Sequence, residues 1–173
     1  MKKIIIFLLM LVPPVLAADQ EPSLPKGLLK LTAYPAPATH LSDIDGISFS
    51  LEQYKGHWVF VHFWASWCGP CRKEMPAIQR MWKSMKSSGL KIALINTAED
   101  EDTVFSFLSA HAPEIRALMD SDGQVTEKWQ PRGLPSTYLI GPKGQVHYQA
   151  IGGRPWDNMT YHTFLQNLLK NKL

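Results

Sequence analysis

Val59-Phe60-Val61-His62-Phe63-Trp64-Ala65-Ser66-Trp67-Cys68-Gly69-Pro70-Cys71 is the stretch that decides the fold. Its opening run is apolar on both faces apart from His62, as expected of a central strand covered by helices. After the cysteines, Ile78, Met81, Trp82 and Met85 recur at helical spacing and predict the buried stripe of a helix from about Cys68 to Ser87. Pro76 is expected to kink that helix and Gly89 to end it. Strand, cysteine pair and helix thus follow one another without an intervening loop of any length.

That order has a chemical consequence. The first turn of a helix leaves backbone N–H groups unpaired and carries partial positive charge. A thiolate placed there is stabilised and becomes a better-populated nucleophile. Cys68, the first of the pair, reads as the attacking sulfur and Cys71, one turn deeper, as the resolving one. Pro70 suits an early helical position because the N–H it lacks would have no partner there. Two other uses of the pair are weaker. A bridge closing so short a loop constrains the unfolded chain little. A structural zinc site needs about four ligands, and the chain has only two cysteines.

Working outward, Ala38–Leu41 and Ile47–Phe49 flank Asp43-Ile44-Asp45-Gly46, a hairpin whose Asp-Gly supplies the turn. A helical turn at Leu51–Tyr54 closes on Gly56. Beyond the first helix, Lys91–Asn96 reads as a second buried strand, Asp102–His111 as a helix, and Ile115–Met119 as a short strand. A helical turn at Val125–Trp129, a hairpin of Thr137–Ile140 with Gln145–Ala150, and a helix from Asn158 to Asn171 complete the chain. The fold class is α/β with strands of mixed direction. Met81, Trp82 and Trp129 are expected in the core, with Trp64 and Trp67 around the cysteines.

At the N-terminus, Lys2-Lys3, the apolar run Ile4–Val12 and Val15-Leu16-Ala17 read as a signal peptide over residues 1–17, cleaved after Ala17 or Ala18. The run is broken by Pro13-Pro14 and falls short of the roughly 20 residues that span a bilayer. Residues 18–36, with Pro22, Pro25 and Pro35, read as an extended lead-in, and residues 37–173 as the domain. The chain has a formal charge of +3. Without Lys2 and Lys3 it carries 16 basic against 15 acidic residues, so nothing in the charge points to nucleic acid. No nicotinamide or flavin fingerprint is present, and neither cofactor nor metal is expected.

The segment Phe63-Trp64-Ala65-Ser66-Trp67-Cys68-Gly69-Pro70-Cys71-Arg72-Lys73-Glu74-Met75-Pro76 resembles the active-site segment of TlpA/ResA-type thioredoxin-like proteins. Gly133-Leu134-Pro135-Ser136-Thr137 is similar to the same family's cis-proline loop. The resemblance runs from about Pro35 to Leu169. It implies a thioredoxin fold with an N-terminal β-hairpin extension and a central insertion, here around Ile95–Trp129. It also implies an exported, most simply periplasmic, enzyme that reduces disulfides of client proteins. Electrons would come from a thiol reductant, such as a membrane reductant conductor, and cytochrome c maturation is the implied setting. By the same resemblance Glu74 manages protons around the cysteine pair, while Trp67, Leu134 and Pro135 meet the client.

His62 departs from the family, where Asn is common and thioredoxin has Asp. A neutral core histidine hydrogen-bonded to backbone is the favoured reading, and a proton shuttle or a charge acting on the thiols is the alternative. Gly152-Gly153 reads as a turn or as room for a client backbone. An oxidant or isomerase using the same motif is the nearest rival function. A copper-carrying maturation chaperone, which would need His or Met ligands clustered near the thiols, is the rival from another class.

Overall fold

The computed structural model describes residues 23–170. The signal-peptide reading of residues 1–17 and the start of the lead-in lie outside the described residues. The elements along the chain are β1 (Leu28–Pro35), β2 (His40–Asp43), β3 (Ser48–Ser50), a 3-10 turn at Leu51–Tyr54, β4 (Val59–Trp64) and α1 (Gly69–Met85). There follow β5 (Lys91–Thr97), α2 (Glu101–His111), β6 (Ala117–Asp120), α3 (Gln124–Trp129), β7 (Ser136–Ile140), β8 (Gln145–Ile151) and α4 (Met159–Lys170).

β4 is buried at every residue, as its apolar run requires. It pairs in parallel with β5 and antiparallel with β7, at the centre of a sheet ordered β1-β8-β7-β4-β5-β6-β2-β3. Side chains alternate along it, so the strand separates two cores. Phe60 and Trp64 face a layer built from α1, α2 and α4, with Met75, Ile78, Phe107 and Phe164. Val59, Val61 and Phe63 face the other side, with Trp129, Tyr138 and Ile95. His62 lies on the Phe60 side, under α1. The fold is the thioredoxin-like arrangement expected, with the β2–β3 hairpin at one sheet edge beside β6. β6 is parallel to β5 across α2, and this added βαβ crossover falls in the stretch read as the insertion.

Three features differ from the sequence reading. Leu28–Pro35, inside the stretch read as lead-in, is a strand paired antiparallel with β8 through a bulge. Pro25 and Pro35 obscure it, yet proline is tolerated at the end of an edge strand. Trp82 is only partly buried, and the Lys86 ammonium lies 5.8 Å from its ring centre. Met75, two turns earlier, takes the core position. Finally, α2 starts at Glu101 because Asp100 caps it, accepting from the Thr103 N–H at 2.8 Å.

Candidate active site

The end of β4 delivers Ala65-Ser66-Trp67 into the first turn of α1. Cys68 is the N-cap of that helix, with extended backbone angles, and its sulfur accepts from the Cys71 N–H at 3.3 Å. Pro70 stands in the first turn. Cys68 and Cys71 are joined as a disulfide with Cα atoms 5.2 Å apart. Cys68 keeps 5% of its surface exposed and Cys71 none. Trp67 stands out at 68% exposed, whereas Trp64 is fully buried against Phe107.

β7 runs antiparallel to β4 with Ser136 opposite Phe63. The segment before β7 therefore lies at the same end of the sheet as the cysteines. The Leu134–Pro135 peptide bond there is cis. Leu134 is partly buried against both cores, and the Pro135 carbonyl accepts from the Gly152 N–H at 2.7 Å. Gly152 has a φ of +84°, and a Cβ on Gly153 would sit 3.4 Å from the Pro70 carbonyl oxygen and 3.6 Å from Glu74 Oε2. The glycine pair thus lets the chain's own turn press against the first turn of α1.

Glu74 projects inward from α1 and is 5% exposed. Its Oε2 accepts from the Arg154 backbone N–H at 2.8 Å, and its Oε1 lies 3.2 Å from His62 Nε2. His62 Nδ1 is 2.8 Å from the Thr137 hydroxyl. The favoured sequence reading of His62, a core histidine bonded to backbone, is corrected: both of its partners are side chains. Neighbouring backbone groups of β4 are occupied by the ladders to β5 and β7, which leaves the ring to find partners on α1 and β7.

The chain is similar to known proteins in both sequence and fold. The AhpC/TSA family profile matches residues 32–149. Thiol-disulfide oxidoreductase ResA of Bacillus subtilis is 34% identical over 135 residues, 78% of this chain and 74% of that protein. The chain belongs to the AhpC/TSA family. Within it, the chain is a thiol-disulfide oxidoreductase of the ResA type. Two solved structures are similar to this AhpC/TSA member. One, from Chlorobium tepidum and assigned as the thiol:disulfide interchange protein DsbE, gives a TM-score of 0.72 at 28% identity, covering 82% of this chain and 99% of that one. StoA from Bacillus subtilis gives 0.64 at 27%, covering 76% and 99%.

One residue of this family member escaped the sequence reading. Glu99, in the loop between β5 and α2, holds the segment before the cysteines. Its carboxylate accepts from the Ser66 N–H and from Asn96 Nδ2, each at 2.7 Å, and from the Ser66 hydroxyl. Ala98 takes a left-handed φ of 57° to place it. Glu99 stands in the acidic run Glu99-Asp100-Glu101-Asp102, and no spacing within that run distinguishes it from its neighbours.

Proposed function

We propose that the chain reduces disulfides of exported client proteins, with Cys68 as nucleophile and Cys71 as resolving thiol. The observation that supports this best is the placement of the pair. The more exposed cysteine, Cys68, caps α1, beside an exposed Trp67 and at the sheet end that carries the cis Leu134–Pro135 bond. In the reduced protein the Cys68 thiolate attacks one sulfur of a client disulfide, and the other client sulfur leaves as a thiolate. Cys71 then gives up its proton, and its thiolate attacks Cys68. The second client sulfur leaves, and Cys68–Cys71 is oxidised by two electrons.

Glu74, one turn beyond Cys71 on the same helix, is the carboxylate to take the Cys71 proton. Leu134, held before the cis Pro135, offers its backbone to an extended client segment, and Trp67 an exposed aromatic face. A membrane reductant conductor or another thiol donor returns the electrons. The signal-like N-terminus supports a periplasmic setting, and among the described residues no helix is long and apolar enough to cross a membrane. Cytochrome c maturation is the setting we favour.

Cys71→Ala tests this reading. In that variant Cys68 still attacks but nothing resolves the mixed disulfide, so clients remain attached. Expressed in the native compartment with a supply of reductant, it is expected to hold a small set of exported proteins, apocytochrome c among them. Indiscriminate capture would mark an isomerase, and no thiol-dependent capture would refute the reductase reading.

A further inference from the structure

His62 stands outside the exchange steps just described, yet it touches the residue to which they assign a proton. His62 is fully buried and Glu74 nearly so. The facing atoms, His62 Nε2 and Glu74 Oε1, approach to 3.2 Å, and neither has a hydrogen-bond partner elsewhere. The other polar atoms of the two side chains are occupied. Glu74 Oε2 is taken by the Arg154 N–H. The Arg154 guanidinium turns away to the carbonyls of Gly27, Ile151 and Gly153. Thr137, from β7, meets His62 Nδ1; in the preceding turn of α1, Cys68 and Cys71 are joined as a disulfide, and Arg72 and Lys73 are exposed. Among the described residues Glu74 has no other ion-pair partner.

Two lone pairs cannot face one another at that distance in an apolar setting without a proton between them. With Glu74 ionised, the proton sits on Nε2 of a neutral ring, and the Thr137 hydroxyl donates to Nδ1. When Glu74 takes one more proton on Oε1, Nε2 accepts from it and Nδ1–H donates to Thr137 instead. The Thr137 hydroxyl, opposite His62 in the ladder and 2.8 Å from Nδ1, can donate in the first state and accept in the second.

We propose that His62 is a positioning residue that holds one proton in its contact with Glu74. By doing so it sets the pH range in which Glu74 can receive the proton of Cys71. The inference rests on the exchange reading of Cys68 and Cys71. Without the imidazole, Glu74 Oε1 would be an anionic oxygen in a buried, unpartnered place, where burial favours the neutral carboxyl. Glu74 then stays protonated to higher pH and is unable to take the Cys71 proton there, so the acid limb of the rate profile moves upward.

The test compares His62→Leu and His62→Gln in the full domain, following insulin reduction against pH. His62→Leu is expected to move the acid limb of kcat up by about one pH unit, a loss of roughly tenfold at a fixed pH on that limb. KM stays unchanged. His62→Gln, which keeps one N–H, recovers at least half of the shift. A Leu profile superimposed on the parent's overturns the proposal. If the Leu variant does not fold, the nitrogen spectrum of His62 in the resting disulfide form decides. Glu74→Gln should shift the Nε2 resonance, and an unmoved resonance overturns the proposal. That spectrum needs no client, so its failure is separate from a failure of the exchange reading.

Discussion

Replacing Glu99 by alanine removes the anchor of the segment that carries Trp67 and Cys68. Three donors lose their acceptor at once: the Ser66 N–H, the Ser66 hydroxyl and Asn96 Nδ2. Hydrogen bonds to a charged acceptor contribute about 1.5–3 kcal/mol each, and an orphaned buried donor costs about 1–3 kcal/mol. Ser66 and Glu99 are only partly buried, so water replaces much of what is lost there. Asn96 is fully buried and its Oδ1 already has no partner, so its amide becomes wholly unsatisfied. The left-handed Ala98, strained by roughly 1–2 kcal/mol, also loses the contact that offsets it. The contacts share one carboxylate and are not additive, so Glu99→Ala should destabilise by about 2–4 kcal/mol. For a chain of this size that lowers the Tm by roughly 5–15 °C.

Glu99→Gln is the informative control. An amide with its oxygen in the Oε2 position still accepts from the Ser66 N–H and Asn96, while its NH2 donates to the Ser66 hydroxyl. It should cost about 1 kcal/mol or less, the charge assistance alone. Denaturant unfolding of both variants gives the comparison through the shift in midpoint at constant slope. If Ala and Gln are destabilised equally, or Ala by less than about 0.5 kcal/mol, the anchoring role is refuted.

In the reduced protein the Cys68 thiol should titrate below the ordinary cysteine range, because it caps α1 at its positive end. The pH dependence of alkylation reads this directly, and an ordinary or raised value removes the helix-terminus argument. Gly153→Val should destabilise by about 1–3 kcal/mol and slow exchange, since even a Cβ there meets the Pro70 carbonyl and Glu74; a neutral effect in both assays would show that the turn can move. Asp43→Asn should loosen the β2–β3 hairpin by about 1 kcal/mol. Desolvation alone would raise the Asp43 carboxyl, but the Ile47 N–H, Arg116 and the Asp45 N–H outweigh it and hold the group low. Its contribution is therefore present above the ordinary aspartate range and disappears as pH falls through the lowered value. Parent and variant stabilities should converge in acid, and a difference that persists unchanged to low pH would contradict the assignment.

The sheet centre and the cysteine helix were legible because local signals and tertiary demands coincide there. Val59–Phe63 is buried on both sides, and Cys68 both ends the loop and caps the helix. β1 was not legible, since a mostly exposed edge strand between prolines has neither strong alternation nor a turn signal of its own. Trp82 illustrates the opposite limit. Its spacing fits the α1 stripe, but the stripe is narrower than the helical period allows, and Met75 fills the core instead. At the site, cysteines, Pro135 and Glu74 announced themselves by motif. His62 was visible only as an oddity, because its partners Glu74 and Thr137 lie 12 and 75 positions away in the sequence. Glu99 gave no sign at all, because a loop carboxylate folding back on Ser66 leaves no periodicity.

The direction of electron flow is the central claim, and the equilibrium of the Cys68–Cys71 couple against glutathione tests it most directly. A reductase requires a disulfide that its reduced form is ready to re-form, so the couple should be more reducing than about −180 mV, the level of an isomerase. Cys68→Ala, which cannot form the bridge, should show no two-electron couple and no insulin reduction. A potential near about −120 mV, the level of a strong oxidant, would contradict the account.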